Sequence, residues 1–270
     1  MPISIPFVNR PPTRGEFEKL RLLLSVFQDG TGQYGNTPGW RDFERVMAVL
    51  LNGTAVENKA IFDVLVPEPT RPSIKYGIAC KMRGELNYLD NHGRLTVELS
   101  NSNKEFWQEL RINGIDYTNF REYPINVGQL VVRLIKKWQD AVSLHEGGDI
   151  DLERSSYVVL TYHPRKGIYV VHWLPLALPD PTSLVWSYPS DKRLLGLDPE
   201  SGDKVFEWYH ESGGQLKYYP LANMALWASP RFGLESLPAG NPDNSILARA
   251  QAYFPEQWKL ASMEEKPNGY

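Results

Sequence analysis

Apolar residues recur every three or four positions in two stretches near the start of the chain. In residues 14–27 this spacing predicts an amphipathic helix, which ends in the turn-rich sequence at 29–32. The same spacing in residues 37–53 predicts a second helix, with Thr37 as a cap and Pro38 in the first turn. The pattern therefore indicates two helices in succession.

The pattern then changes to short runs that are rich in β-branched and other apolar residues. Three such runs predict strands at residues 60–66, 74–81 and 94–99, separated by Pro-rich and Asp-Asn-His-Gly turns. The later periodic segments predict helices at 103–112, 125–144 and 245–253, and strands at 157–162, 168–174, 183–188, 204–210 and 215–218.

This order of elements predicts an α/β fold of the α+β kind, with a mixed central sheet flanked by helices. A length of 270 residues is enough for one large domain or for a domain with an added lobe. We expect a helical extension at 1–36, a core at 37–175, and a β-rich C-terminal elaboration of the same domain at 176–270.

The composition restricts the class of protein. The chain is 42% hydrophobic and 23% charged, as in soluble globular proteins. No apolar run approaches the roughly 18–20 residues that cross a bilayer, the first residues lack the layout of a signal peptide, and Cys80 is the single cysteine. We expect a cytoplasmic protein with no membrane segment and no internal disulfide.

The formal net charge of −3 excludes a wholly basic protein that coats nucleic acid. It leaves room for a local basic cleft, because only the docking face has to neutralise phosphates.

Two acids and one lysine lie within the three predicted strands of the core. Asp63 is surrounded by apolar residues, where a carboxylate is costly unless it has a partner such as a metal ion or a base. Lys81 ends the next apolar run, and Glu98 lies between Val97 and Leu99 in the third. The pattern therefore predicts three ionised side chains on neighbouring strands.

A hairpin between the second and third predicted strands would bring two of these groups together. If it is centred near Leu89-Asp90, paired positions sum to about 179, which sets Glu98 opposite Lys81 (179 − 98 = 81). Carboxylate oxygens are ligands for Mg²⁺, and a cation stabilises the charge that develops when a phosphodiester is hydrolysed. The grouping indicates metal-assisted phosphodiester hydrolysis.

The order helix, Asp-bearing strand, Lys-bearing strand, third strand, helix, strand resembles that of the PD-(D/E)XK nucleases, which include most type II restriction endonucleases. The resemblance covers residues 40–174, and Asp63 and Lys81 match the family's Asp and Lys. Ala79 stands where the family has its second acid. In this the chain is similar to the EcoRII-like and NgoMIV-like branches, in which that acid has moved to a neighbouring strand, and Glu98 would take its place.

The resemblance implies a Mg²⁺-dependent type II restriction endonuclease that cuts double-stranded DNA at a short specific sequence. Such an enzyme acts on both strands of a symmetric site, so a homodimer is expected. The family's helix glutamate corresponds to Glu44. Glu57 is its rival, although six extended residues separate it from Asp63 by about 20 Å.

The predicted metal ligands are Asp63, Glu98 and Cys80. Cys80 has no histidine close in sequence to activate it, which favours a packing role for this side chain over a nucleophilic one. A further set of polar and basic residues is predicted to contact DNA, although each taken singly is more often a solvated group. The set is Arg83, Arg94, Ser100, Asn101, Arg165, Lys166, Lys192 and Arg193.

Two other functions fit the same sequence. One is a catalytically inactive relative that binds DNA or a protein, with Ala79 marking the loss of the metal site. The other is a sugar- or peptide-binding module built from the Trp- and Tyr-rich part of the chain after residue 173. Divalent-metal dependence and affinity for duplex DNA separate these alternatives from the nuclease.

Overall fold

The computed structural model describes residues 4–56, 61–211, 213–238 and 245–265. Within these ranges the α-helices are α1 Arg14–Ser25, α2 Trp40–Leu50, α3 Leu86–His92, α4 Asn103–Ile112, α5 Pro124–Ala141, α6 Ile246–Tyr253 and α7 Pro255–Glu264. The strands are β1 Thr54–Ala55, β2 Val64–Pro67, β3 Lys75–Arg83, β4 Val97–Ser100, β5 Ser156–His163, β6 Ile168–Pro175, β7 Val185–Ser190, β8 Arg193–Leu197, β9 Lys204–Tyr209, β10 Gln215–Tyr218 and β11 Trp227–Ala228. The predicted mixture of helices and strands is confirmed.

Contacts along the chain divide it into two units. The first comprises Met1–Asn87, Asp149–Leu176 and Met224–Tyr270, and the second comprises Tyr88–Gly148 and Ala177–Asn223. The change from Leu176 to Ala177 lies beside the boundary expected at residue 175, whereas no change between the units lies near residue 36. Each unit is built from separate stretches of sequence.

The first unit contains a mixed sheet with the strand order β1-β2-β3-β5-β6-β11. β3 and β5 are parallel, and the other neighbouring pairs are antiparallel. Val64 lies opposite Ile78 between β2 and β3, and Lys81 lies opposite Val159 between β3 and β5. These registers determine which side chains share a face of the sheet.

One face of this sheet forms the main apolar core of the first unit, together with α1, α2 and α6. Ile78, Val158 and Val171 are fully buried there. The Thr13 hydroxyl caps α1 by accepting from the backbone N–H of Glu16. α2 begins at Trp40 and not near Thr37, because the Asp42 carboxylate accepts the backbone N–H of Gly39 at 2.8 Å and starts the helix there.

The second unit contains an antiparallel sheet with the order β4-β10-β9-β8-β7. Its core is aromatic: Trp107 of α4 lies 5.5 Å from Trp208 of β9, measured between ring centroids, and both are buried. Gly128 of α5 lies under the indole of Trp186, where a Cβ atom would meet the ring at 2.1 Å. Close packing of α5 on β7 therefore requires glycine at this position.

The segment between Arg83 and Val97 differs from the prediction. It forms α3 instead of a hairpin turn, and β4 pairs with β10 in the sheet of the second unit. The register that set Glu98 opposite Lys81 is therefore wrong. Leu86 is buried at the start of α3, and Asp90, Asn91 and His92 of the expected turn belong to this helix.

The remaining predicted helices and strands can be compared with the observed ones. The helix at 103–112 has the predicted ends, and the one expected at 125–144 ends at Ala141. β8 and α7 were not predicted, and residue 60 of the first expected strand lies outside the described residues. No described helix combines the length and the apolar character needed to span a membrane.

Candidate functional site

Asp63 lies immediately before β2, and not in the middle of the strand as expected. Its backbone is held on both sides, because its N–H donates to the carbonyl of Ile78 at 3.1 Å and its own carbonyl accepts from Val56 at 3.0 Å. The preceding residue, Phe62, packs its ring against Gly77 of β3. These contacts fix the position from which the Asp63 side chain projects.

The carboxylate of Asp63 is buried, with 5% of the residue exposed. Its Oδ2 atom accepts a hydrogen bond from the backbone N–H of Cys80 at 2.8 Å and another from Nζ of Lys81 at 3.0 Å. A buried carboxylate is tolerated when it is paired and hydrogen-bonded in this way. The structure therefore brings together two of the residues that the sequence singled out.

Lys81 and Ala79 project from the same face of β3, since successive side chains of a strand alternate. Ile78 and Cys80 face the core that is packed against the helices. The Lys81 side chain is one-fifth exposed, and Ala79 is buried. The position at which the nuclease family carries its second acid thus lies on the lysine's face, and here it bears only a methyl group.

Cys80 and Glu44 both belong to the first unit. Cys80 is a buried thiol whose side chain joins the apolar core, so its contribution to Asp63 comes from its backbone N–H. Its role as a metal ligand stays a prediction. Glu44 is buried in α2, the helix that packs against β2 and β3. Its rival, Glu57, lies outside the described residues.

Glu98 is part of a different arrangement in the second unit. It lies opposite Lys217 of β10, and its carboxylate accepts hydrogen bonds from the side-chain amides of Asn101 and, at 2.6 Å, Gln215. Lys217 lies in turn opposite Glu207 of β9. The cross-strand order acid, lysine, acid is typical of a charge ladder on one face of a sheet.

The predicted DNA contacts of the first unit lie toward the carboxyl ends of β3 and β5. Arg83 ends β3, while Arg165 and Lys166 lie in the exposed turn after β5. Because these two strands are parallel, both end on the same side of the sheet, the side at which their carboxyl ends lie. The structure brings these three cations to that side.

The remaining predicted DNA contacts belong to the second unit and bond mainly within it. Arg94 is buried and donates to the carbonyl of Tyr219 and to Asp203. Arg193 donates to Glu207 at 3.0 Å. The hydroxyl of Ser100 donates to Ser102, Asn101 donates to Glu98, and Lys192 is exposed.

Glu207 was not singled out from the sequence. It is fully buried in β9, and its carboxylate accepts from Lys204 at 2.7 Å and from the hydroxyl of Tyr219 at 2.6 Å. Burial raises its pKa, but the bonds from Lys204 and Tyr219 outweigh burial and lower the pKa to about 2. Glu207 is thus a charged structural centre of the second unit.

Two further polar residues share the sheet face of Lys81. Thr161 of β5 and His172 of β6 are 2% and 5% exposed. Burial lowers the pKa of His172 to about 4, so its imidazole is neutral near pH 7. Both residues could have been singled out from the sequence. Each is a polar residue between apolar neighbours in a strand that is buried on both faces.

The chemistry of the site fits a divalent cation in part. Carboxylate oxygens are the preferred ligands of Mg²⁺, which often takes one or two carboxylates from the protein and keeps several waters. Asp63 offers such oxygens beside an ammonium group. Among the described residues, no cluster of three or more His, Cys, Asp or Glu side chains surrounds a common point.

Comparisons of the chain with protein-family models, with curated proteins and with solved structures find no match.

Proposed function

We propose that the protein is a Mg²⁺-dependent endonuclease that hydrolyses phosphodiester bonds of double-stranded DNA, in the manner of a type II restriction endonuclease. The observation that carries this proposal is the pairing of Asp63 with Lys81 at 3.0 Å on adjacent elements of the mixed sheet. The sequence indicated metal-assisted phosphodiester hydrolysis, and an acid paired with a lysine on a neighbouring strand is the central requirement of that reaction.

Each residue has a separate task in this reaction. The carboxylate of Asp63 would hold the metal, and the ammonium of Lys81 would stabilise negative charge on the phosphate beside the attacking water. Mg²⁺, when bound, neutralises charge on the phosphate and lowers the pKa of a coordinated water. The backbone N–H of Cys80 orients Asp63 by bonding to Oδ2.

Glu44 is the second acid that the resemblance implies. It is buried on α2, which packs with Ile78 and Cys80 on the face of β3 opposite the one that carries Lys81. The helix before the Asp-bearing strand is the place where the resemblance expects a glutamate. Glu98 has no such support, since its strand pairs with β10 and not with β3.

The fold supports the same proposal. Strand β2, which begins directly after Asp63, is antiparallel to the Lys-bearing strand β3, and α2 precedes both in the chain. Arg83, Arg165 and Lys166 provide cations at the edge of the sheet where β3 and β5 end. Such cations neutralise phosphates and position a duplex without reading its sequence.

The proposal is tested with mixed-sequence plasmid DNA, Mg²⁺ and end-mapping of the fragments. We expect Asp63→Ala and Lys81→Ala to lower the cleavage rate by at least about 100-fold, because each removes a group that acts in the transition state. Lys75→Ala is the matched control. Lys75 starts the same strand and pairs with the exposed Asp149 at 2.6 Å, so its loss should leave the rate unchanged.

Cleavage that is equally fast in Asp63→Ala and in the parent protein would refute this site. Absence of cleavage by the parent, with retained affinity for duplex DNA, would favour a second function: an inactive DNA-binding relative. Ala79, on the face of Lys81 where an acid is expected, is the observation that favours this second function.

The expected homodimer is part of the proposal, because cutting both strands at a symmetric site requires two active centres related by a two-fold axis. Sedimentation velocity with and without a cognate duplex measures the mass of the assembly. A monomer in both conditions would indicate that the two strands are cut one at a time.

A further inference from the structure

Two buried polar groups on the Lys81 face have no hydrogen-bond partner in the part of the chain that the structure describes. They are Oγ1 of Thr161 and Nδ1 of His172. Both residues are more than nine-tenths buried. A buried polar atom without a partner is costly, so native proteins supply one, frequently an ordered water.

The strand register brings these two groups close together. Thr161 lies opposite Val170, and Val159 lies opposite His172, so Thr161 and His172 are diagonal neighbours across β5 and β6 on one face. Diagonal neighbours in a sheet are roughly 7–8 Å apart at their backbones, a separation at which one water can bridge two polar side chains. Their other neighbours on this face include apolar Val159 and Val170, which offer no hydrogen bond.

We propose that Thr161 and His172 form a binding site for one ordered water on the sheet face that carries Lys81. The hydroxyl of Thr161 both donates and accepts, and a neutral imidazole offers one donor and one acceptor nitrogen. A water bridging the two satisfies both groups without adding charge to this buried face. The lowered pKa of His172 agrees with a neutral ligand. The site does not depend on the proposed nuclease function.

The direction of the stability change in Thr161→Val tests this proposal. Valine has the shape of threonine without the hydroxyl. If the hydroxyl binds water, the variant loses that bond, and we expect its Tm to fall by about 2–4 °C. A hydroxyl that is buried without any partner gives the opposite result, because its removal relieves an unfavourable burial and raises Tm.

A double-mutant cycle tests whether the two residues share the same water. Thr161→Val and His172→Leu should each lower Tm. The decrease in Tm of the double variant should be smaller than the sum of the two single decreases. His172→Asn, which keeps a polar atom near the position of Nδ1, should lose less than His172→Leu. Ser156→Ala, on the same strand, is the calibration, because its hydroxyl donates to the carbonyl of Phe7 at 2.9 Å.

Nuclear Overhauser effects between water and the side-chain protons of Thr161 and His172 provide direct evidence of binding. We expect both residues to show a long-lived water, and the signal to disappear in Thr161→Val. A rise in Tm for Thr161→Val together with additive effects in the cycle would overturn the proposal, as would the absence of these water contacts in the parent protein.

Discussion

A single carboxylate oxygen, Oδ2 of Asp63, connects a backbone amide and a lysine on the neighbouring strand. The two contacts differ in what they require of the side chain. The N–H of Cys80 needs only an acceptor, whereas the ammonium of Lys81 also needs a negative charge. Substitutions at this one position can therefore separate the structural role of Asp63 from its electrostatic role.

We predict that Asp63→Asn destabilises the protein less than Asp63→Ala does. Asparagine retains an acceptor for the N–H of Cys80, whereas alanine leaves that buried donor without this bond, at a cost of about 1–3 kcal/mol. Unfolding in urea at pH 7 measures the difference. Cleavage should be lost in both variants. Equal stabilities would show that the bond from Cys80 contributes little.

His172 makes stability depend on pH in a predictable direction. Its pKa is about 4 in the folded protein and about 6.5 in the unfolded chain. Between these values the unfolded chain binds a proton that the folded protein does not bind. Unfolding therefore becomes easier as the pH falls from about 6.5 toward 4.

The prediction for His172→Gln follows from this difference in pKa. The free energy of unfolding of the parent should fall relative to that of the variant by about 1.4 kcal/mol per pH unit in this window. Above about pH 7 the difference between the two proteins should be constant. Parallel stability curves from pH 7 to pH 4 would mean that the imidazole is exposed to solvent.

Among the secondary-structure elements, β3 has an additional constraint at Gly77. A Cβ atom there would lie 2.3 Å from the ring of Phe62, the residue before Asp63. The ring therefore lies directly on the strand, and this contact helps to position the start of β2. Glycine is required because of the space and not because of its backbone freedom.

We predict that Gly77→Ala destabilises the protein by about 1–3 kcal/mol, since the added methyl displaces a packed ring. Gly233→Ala is the matched control, because a Cβ atom there makes only an ordinary contact at 3.8 Å. Urea unfolding compares the two variants. The double variant Gly77→Ala with Phe62→Leu should recover part of the loss, and no recovery would place the strain elsewhere.

Local patterns predicted the helices more accurately than the strand pairing. The helix at 103–112 was predicted with both its ends, because helical periodicity is a property of neighbouring residues. The partner of Glu98 is Lys217, which is far away in the sequence. No pattern near Glu98 specifies that pairing, so a hairpin with the nearest strand was the wrong choice.

The same contrast between local and long-range contacts determines how much of the candidate site could be predicted. Asp63 and Lys81 belong to consecutive elements that pair with each other, so their proximity could be inferred from the chain order. Thr161 and His172 join the same face through a parallel pairing of β3 with β5, which requires a long connection. Their position depends on contacts that the sequence pattern does not contain.

At the scale of the whole molecule, neither unit is a continuous stretch of chain. The second unit combines α4 and α5 with β7 to β10, on opposite sides of β5 and β6 in the sequence. Cutting the chain near residue 176 therefore removes the strands on which β4, Phe106 and Trp107 pack.

We predict that a fragment of residues 37–175 does not fold cooperatively. It lacks α1 and α6, which cover the first sheet, and β7 to β10, which complete the second. Circular dichroism during heating should show no sharp transition for the fragment and a cooperative one for the full chain. A cooperative transition of the fragment would support the domain boundaries that we expected from the sequence.

The pairing of α1 with α7 also affects the order in which the protein is completed during synthesis. Lys19 of α1 bonds to Glu265 at 2.6 Å, and β11, α6 and α7 all belong to the first unit. The ribosome has made every residue of the second unit by Asn223, before any of those three elements exists. The unit whose synthesis begins first is therefore the last to be completed. Its apolar sheet face lacks α6 until the chain has grown past Tyr253, and translation speed over that last stretch determines how long the face stays incompletely covered.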